Sequence, residues 1–429
     1  MEEESQQKLE AEVSPALISV HPAHKSISVS VGSGIRVFNL EERCGVTLVD
    51  ENGGHKDSIR AIRYSLDGEI FVSAGDDKLV KIWDTSSWHC VCSVISEKRV
   101  TAIAITKDGT FVCFADKFGT VHVVDIGDCD KSSPSPVHKK AVPILSHYCS
   151  IITRLEFSPD GRYIVSADRD FKIRVKQLPL LIIVPVTIFI FCYSIPSLTE
   201  SSYRFVSCLA FITPLDREQG FLVSGSGDST VRLWDHASGS LLDTCEIGAK
   251  GLLHSDGRND EILPAVTDIC ATTDGSLVAV AIQRHNAVTM QPPYPGTLYD
   301  QREAYIPTSV SSSPLYPVLW MVMGASSLHT SDSESLVRVR AISGFAADNL
   351  ESKVHETFVL EDTDVPGGMA LLEELQHKLS IGKEAFVIAS EAVKIATRNL
   401  LIKKHYSAER REFRKRGRND KKGQATDEL

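Results

Sequence analysis

The stretch Ser65–Asp84 reads SLDGEIFVSAGDDKLVKIWD and carries the clearest structural pattern in the chain. It opens with an Asp67-Gly68 turn and continues through a segment in which Ile70 and Val72 alternate with other residues. A second turn follows, and a second alternating segment ends at Trp83. Alternation with a period of two is the pattern of a β-strand whose two faces have different surroundings. The stretch therefore predicts a β-hairpin.

This hairpin unit recurs along the chain. Clear copies lie at Thr106–Asp125, Ser158–Gln177 and Gly220–Asp235, and weaker copies lie at Ser26–Leu40, Thr272–Gln283 and Ser335–Arg340. The turn residues Asp67 and Asp108 are 41 residues apart. A repeat of about 40 to 45 residues is the period of a four-stranded propeller blade. The repeats predict an all-β propeller.

Two of the units resemble WD repeats, because Ile82-Trp83-Asp84 and Leu233-Trp234-Asp235 match their Trp-Asp endings. Dividing residues 14–345 by seven gives roughly 47 residues per blade, so we predict a seven-bladed WD40 β-propeller. The resemblance also implies hydrogen-bonded networks within blades. The residues are His55, Ser73, Asp77 and Trp83 in one unit, and Ser224, Asp228 and Trp234 in the later unit, where no equivalent His is found and the network is expected to be incomplete.

The regions outside the repeats differ in composition. Residues 1–13 are predicted to be a disordered acidic leader without the apolar core of a signal peptide, so we expect an intracellular protein. Residues 346–365 are predicted to be a linker. After Pro366-Gly367-Gly368, apolar residues recur every three or four positions, which predicts a helical appendage over 366–404. Residues 405–429 form a basic tail.

Two ranges inside the predicted propeller, 178–204 and 284–305, are expected to be irregular. Leu178–Ile195 contains 18 residues without a charge, which is the length of a membrane-spanning candidate. A spanning helix at this place would prevent closure of the ring, so we interpret the stretch as an altered splice form or a gene-model error. A propeller tethered to a membrane by this stretch is the alternative.

The chain carries no catalytic motif that we recognise. It contains no GxSxG, GxxxxGK[ST], HExxH or strand-to-helix GxGxxG pattern, and its ten cysteines form no CxxC pair. We therefore predict no catalytic, cofactor-binding or metal-binding residue, and we interpret the cysteines as reduced core thiols. The net charge of -10 excludes a nonspecific nucleic-acid coat.

Three stretches carry a closer resemblance: Lys98–Asp125, Ser166–Val175 and Arg410–Lys422. Together they resemble the non-catalytic WD-repeat subunit of the eukaryotic tRNA (guanine-N7) methyltransferase, particularly its plant form. The resemblance implies a heterodimer in which a separate subunit binds S-adenosylmethionine and forms N7-methylguanosine in the tRNA variable loop. The propeller would hold that enzyme in an active, stable conformation in the nucleus, and no cofactor would bind this chain. A generic WD40 scaffold, such as a ubiquitin-ligase substrate adaptor, is the alternative function.

The resemblance also implies where the partner binds. The predicted partner-binding residues are Arg169, Asp170, Lys172 and Arg174. Strand alternation places Lys172 and Arg174 on one face, which we expect to meet the partner, while the other face enters the core. Exposed ion pairs on the propeller rim are the simpler alternative. Possible RNA contacts are the tail residues Arg410, Arg411, Arg414, Lys415, Arg416 and Arg418, which could equally be a solvated charge run or part of a nuclear import signal.

Overall fold

The structure is a computed structural model of the chain. It describes residues 16–42, 44–50, 53–127, 129, 136–147, 150–170, 172–177, 187–191, 206–214, 219–247, 265–272, 275–282, 288–291, 296–297, 305–312, 318–325, 337–343 and 359–360. The predicted leader, the helical appendage and the basic tail lie outside these residues. All elements of the described part are β-strands or turns.

The first half of the described chain forms three sheets. Sheet 1 contains β1 (Leu17–Val20), β2 (Ser26–Val31), β3 (Gly34–Asn39) and β4 (Cys44–Thr47). Sheet 2 contains β5 (Ile59–Tyr64), β6 (Ile70–Gly75), β7 (Leu79–Asp84) and β8 (Cys90–Ile95), with β12 (Val137–Lys139) parallel to β8 at its edge. Sheet 3 contains β9 (Val100–Ile105), β10 (Phe111–Asp116), β11 (Thr120–Asp125) and β13 (Val142–Ser146).

Four further sheets follow in chain order. Sheet 4 contains β14 (Ile152–Phe157), β15 (Tyr163–Asp168), β16 (Lys172–Gln177) and β17 (Thr187–Phe191). Sheet 5 contains β18 (Val206–Ile212), β19 (Phe221–Ser226), β20 (Thr230–Asp235) and β21 (Ser240–Glu246). Sheet 6 contains β22 (Val266–Ala271), β23 (Val278–Ile282), β24 (Val288–Gln291) and β25 (Gly296–Thr297), and sheet 7 contains β26 (Tyr305–Ser312), β27 (Val318–Ala325), β28 (Val337–Ser343) and β29 (Val359–Leu360).

The sheets are arranged around a central channel. The first strand of each sheet contacts the first strand of the next, in the order β1, β5, β9, β14, β18, β22 and β26, and β26 contacts β1. The Thr308 hydroxyl donates to the Ala16 carbonyl over 2.7 Å, and the Val20 amide donates to the Ser311 hydroxyl over 3.2 Å, so sheets 7 and 1 are joined directly. The prediction of an all-β WD40 propeller is confirmed.

The turns between first and second strands follow from the repeated Asp-Gly pair. In the first such turn the Asp67 carboxylate accepts hydrogen bonds from the Ser65 hydroxyl and the Glu69 amide, at 2.5 and 3.0 Å. Gly68 has a φ of 77°, a left-handed conformation that glycine adopts without steric strain. The same turn recurs at Asp108 and Asp160, which explains why the phrase repeats in the sequence.

The core lies between sheets, so the inner and middle strands are apolar on both faces. Val72, Ile82 and Val94 of sheet 2 pack with Phe114 and Val124 of sheet 3, for example, and all five are fully or almost fully buried. Each sheet thus stabilises its two neighbours, and burial of this apolar surface is the main driving force for the assembly of the ring.

Two loop classes define an upper face of the ring: the loops that join successive sheets and the turns between second and third strands. Backbone hydrogen bonds connect them, including Asp76 N to Ser58 O and Lys117 N to Arg99 O. The turns between first and second strands, and between third and fourth strands, define the lower face at the opposite end of the strands.

Both ranges that were predicted to be irregular contain strands. Thr187–Phe191 pairs with β16 as the outer strand of sheet 4, and Val288–Gln291 and Gly296–Thr297 complete sheet 6. No strand was expected at these residues from the sequence, although their β-branched and aromatic residue types suit a strand. The other residues of 178–204 and 284–304 lie outside the described part of the chain. Within the described part of the chain, no helix is long and apolar enough to cross a membrane.

Candidate partner-binding site

The predicted partner-binding residues lie at the turn between β15 and β16, on the upper face of sheet 4. The carboxylate of Asp168 caps this turn, because its Oδ1 accepts hydrogen bonds from the amides of Asp170 and Lys172 at 2.8 and 3.0 Å. The Arg169 amide donates to the carbonyl of Ile151 over 3.0 Å. The turn is therefore fixed both to its own strand end and to the loop before β14.

A buried polar network holds Asp168 in place. Its Oδ2 lies 2.9 Å from Nδ1 of His147, whose Nε2 lies 2.7 Å from the Ser166 hydroxyl. The side chains of His147 and Asp168 are fully buried. Burial lowers the pKa of His147 although Asp168 opposes this effect, so the imidazole is neutral at pH 7 and keeps one donor and one acceptor for its two partners. The sequence analysis did not predict this network. It could have been recognised because His147 precedes Ser166 by about the same number of residues as His55 precedes Ser73.

The network in sheet 4 repeats the one predicted for sheet 2. His55 Nδ1 lies 2.8 Å from Asp77, His55 Nε2 lies 2.8 Å from the Ser73 hydroxyl, and the Trp83 indole donates to that hydroxyl over 2.9 Å. Burial opposes ionisation of Asp77, but hydrogen bonds led by His55 outweigh it and lower its pKa. In sheet 4 the position of the tryptophan is taken by Lys176, whose ammonium donates to the Ile144 carbonyl.

Sheet 5 has a third variant. The Trp234 indole donates to the Ser224 hydroxyl over 2.9 Å, as predicted. Asp228 is contacted by Nη2 of Arg232 at 3.3 Å and accepts from the Thr230 hydroxyl at 2.6 Å. An arginine from the neighbouring strand therefore contacts the carboxylate that corresponds to the histidine-bound Asp77 of sheet 2. In sheet 4 the histidine-bound carboxylate, Asp168, lies two residues earlier in the turn.

The structure corrects the expected orientation of Arg174. Its side chain is buried between sheets, with 6% of its surface exposed, and Nη1 donates to the Ser146 carbonyl of β13 over 2.8 Å. Ile173 and Val175 on the other face pack towards sheet 5. Both faces of β16 are interior surfaces, because each sheet of a propeller is covered on two sides. Arg169, Asp170 and Lys172 remain half-buried at the surface.

Basic side chains continue from this turn across the upper face of sheets 2 and 3. They are Lys78, Lys98, Arg99 and Lys117. Phe118 is 47% exposed, and the Lys98 ammonium lies 5.5 Å from the centre of its ring. A cation over an aromatic face is a favourable contact of about 0.5–1 kcal/mol at an exposed site. We define the upper patch as these five residues together with Arg169 and Lys172; it is suited to an acidic partner surface.

The buried thiols and one cavity do not include any residue of this patch. Burial raises the pKa of Cys90, Cys92, Cys113 and Cys208 to about 12, so these thiols are protonated at pH 7. A cavity of about 460 Å³ opens on the lower face, where Asp67, Gly68 and Trp88 contribute to its lining. None of the predicted partner-binding residues lines it. The predicted RNA-contacting arginines and lysine of the tail lie outside the described residues.

Comparison with known proteins gives two family matches. Residues 130–293 match the family described as tRNA methyltransferase TRM82 WD40 domain, and residues 46–84 match the WD domain, G-beta repeat. The first match includes the turn between β15 and β16. The second includes the His55 to Trp83 network.

Similar proteins carry the same description in several organisms. The chain is 26% identical to "tRNA (guanine-N(7)-)-methyltransferase non-catalytic subunit wdr4" of Dictyostelium discoideum over 256 residues, which is 57% of this chain and 50% of that protein. The Danio rerio protein of that name is 32% identical over 237 residues, 54% of this chain and 51% of that protein. The Homo sapiens protein is 29% identical over 204 residues, which is 47% of this chain and 42% of that protein. The chain thus spans about half the length of the curated relatives it matches.

Among solved structures, a chain of "Crystal Structure of Mitotic Checkpoint Complex" is similar with a TM-score of 0.53. It is 15% identical, and the match covers 71% of this chain and 82% of that chain. At this identity the likeness supports the propeller fold alone. The family resemblance predicted from the sequence is confirmed by the TRM82 and wdr4 matches.

Proposed function

From the relation of this chain to the TRM82 and WDR4 proteins, we propose that it is a non-catalytic subunit of a tRNA (guanine-N7) methyltransferase. It binds and stabilises the catalytic subunit as a heterodimer and is required for N7-methylguanosine in the tRNA variable loop. The observation that carries this proposal is the match over residues 130–293, which includes the capped turn at Asp168. S-adenosylmethionine binds the partner subunit, and the complex acts in the nucleus. The seven sheets correspond to the seven blades of the ring.

The contact with the catalytic subunit is made by the upper patch together with Asp170, and its centre is the turn that carries Arg169, Asp170 and Lys172. The rigid hydrogen bonding of the turn supports this assignment, because a preorganised surface loses little entropy on binding. Truncating one partner of a desolvated ion pair at such a surface costs on the order of 2–5 kcal/mol. Arg174 contributes indirectly, since its bond to Ser146 fixes β16 against sheet 3.

The tRNA is contacted by the complex, with a contribution from the basic tail. The sequence from Lys403 to Lys422 contains ten Lys or Arg residues and three acidic residues, which gives a local charge of +7 in a chain of net charge -10. Such a segment binds phosphates with an affinity that falls steeply with salt. Neutralising the six tail residues Arg410, Arg411, Arg414, Lys415, Arg416 and Arg418 should weaken tRNA binding and flatten its salt dependence, and an unchanged salt slope would remove the tail from the RNA site.

The central test uses charge reversal on the turn. Lys172→Glu and Arg169→Glu are expressed with the catalytic subunit, and co-purification and N7-methylguanosine formation are measured. Both should fall by about tenfold or more, because a repulsive charge replaces an attractive one while the side chains remain at the surface. Arg162→Glu is the matched control, since Arg162 is 62% exposed and lies on the lower face.

The outcome is interpreted together with circular dichroism of each purified variant. Folded variants that keep full co-purification and full methylation would refute the contact site. Failure of the unmodified chain to bind the catalytic subunit, together with normal tRNA N7-methylguanosine in cells that lack this chain, would refute the function itself.

A further inference from the structure

Four charged side chains project from first strands into the central channel and pair across it. Arg63 of β5 forms a bidentate pair with Glu156 of β14, with Nη1 2.6 Å from Oε2 and Nη2 bonded to Oε1. Arg154 of β14 places Nη2 2.5 Å from Oδ1 of Asp268 in β22. We call these four residues the channel bridge.

The channel bridge joins sheets that are not neighbours. Around the ring, β9 separates β5 from β14, and β18 separates β14 from β22. The bridge therefore connects sheets 2, 4 and 6 across the channel. It reaches sheet 7 as well, because Oδ2 of Asp268 accepts a hydrogen bond from the Val310 amide over 3.1 Å.

The intervening sheets leave space for these contacts. On the second strands, Val72 pairs with Arg63 and Val165 pairs with Glu156. At the same position in the first strands of sheets 3 and 5, the residues are Ala104 and Ala210. Arg154 and Asp268 share a second register position in the first strands of sheets 4 and 6. At that position the residues are Ala102 in sheet 3 and Cys208 in sheet 5. Charged residues in sheets 2, 4 and 6 thus alternate with small residues in sheets 3 and 5.

The bridge is electrically balanced, with two arginines and two carboxylates. Their side chains are 29% exposed for Arg63 and Arg154, 15% for Glu156 and 3% for Asp268. Burial would lower the pKa of Arg154, but Asp268 and Glu156 outweigh it and raise that pKa. Partly buried pairs are screened less by salt than exposed pairs.

The bridge is attached to the proposed partner-binding turn through β14. Ile152 at the start of that strand pairs with Asp168, and the carbonyl of Ile151 accepts the amide of Arg169. We propose that Arg63, Arg154, Glu156 and Asp268 are positioning residues, which brace the ring across its channel and fix the turn of sheet 4 for the methyltransferase subunit. The positioning role rests on the proposed function, whereas the bracing role stands independently.

The experiment compares Arg63→Glu, Glu156→Arg and the double swap R63E/E156R in the full chain. Tm and the Kd for the purified catalytic subunit are measured, the latter far below every Tm. Each single reversal should lower Tm by about 4 °C or more and weaken binding about tenfold, since it places like charges at hydrogen-bond distance. The double swap should restore part of both losses, because the charge at position 63 is paired again while the reversed charge at position 156 still lies beside Arg154. Arg162→Glu, which alters an exposed pair on the lower face, should change neither.

Neutral variants provide a second measurement if a reversal prevents folding. Arg63→Gln, Glu156→Gln and their combination form a double-mutant cycle, in which coupling between the two sites is expected. Absence of coupling, or single reversals without an effect on Tm, would overturn the brace. A reduced Tm with an unchanged Kd would overturn the positioning role. A wild-type chain that fails to bind the catalytic subunit would instead refute the proposed function, and the comparison of Tm values would still test the brace.

Discussion

Removing the hydroxyl of Ser73 tests the energetic importance of the polar network in sheet 2. Ser73 is fully buried, and its hydroxyl accepts from the Trp83 indole at 2.9 Å and lies 2.8 Å from His55 Nε2. Because Nδ1 of His55 donates to Asp77, Nε2 is the acceptor of the serine hydroxyl. Ser73→Ala therefore leaves one buried donor and one buried acceptor without partners.

The magnitude follows from the number of groups left unpaired. An unsatisfied buried polar group costs about 1–3 kcal/mol, so Ser73→Ala should lower the free energy of unfolding by about 2–6 kcal/mol. Ser166→Ala in sheet 4 is the matched variant. Its hydroxyl contacts His147 but no tryptophan, so it leaves one group unpaired and should cost about 1–3 kcal/mol.

The assay is urea unfolding followed by tryptophan fluorescence and circular dichroism, with Ser238→Ala as a control. Ser238 is exposed and bonds only to exposed groups in the described structure, so its loss should stay within about 0.5 kcal/mol. A Ser73→Ala variant as stable as the wild type, or a Ser166→Ala variant that is less stable than Ser73→Ala, would refute the reasoning.

Two further predictions concern titration and thiol reactivity. Burial lowers the pKa of His147 in the folded chain, so the unfolded chain binds the proton first as the pH decreases. The free energy of unfolding should therefore fall as the pH decreases below about 6.5. In urea titrations at several pH values, His147→Gln should make the free energy of unfolding depend less on pH. Cys44 is exposed whereas burial raises the pKa of Cys113 to about 12, so an alkylating reagent at pH 7.5 should modify Cys44 in the folded chain and Cys113 only after unfolding. Peptide mass spectrometry measures this difference, and equal labelling of both thiols in the folded chain would contradict it.

The local sequence was sufficient to predict the repeating hairpins, whereas the His55 to Trp83 network was expected from the resemblance to WD repeats. The hairpins depend on short-range information, namely a period-two alternation and turn residues whose carboxylate or glycine backbone defines the turn. The weak repeats near Thr272 and Ser335 also correspond to strands, of sheets 6 and 7. The strands at Thr187–Phe191, Val288–Gln291 and Gly296–Thr297 were not expected, because an apolar stretch and proline-containing connections surround them in the sequence.

Only the tertiary structure decided what each strand face contacts. Alternation shows that the faces of β16 differ, but in a ring both are covered by other sheets, and this is why Arg174 lies inside rather than at the surface. The channel bridge joins residues 93 and 114 positions apart, which no local pattern connects. Closure of the ring brings these charges together, since first strands that are distant along the chain face one another across the channel.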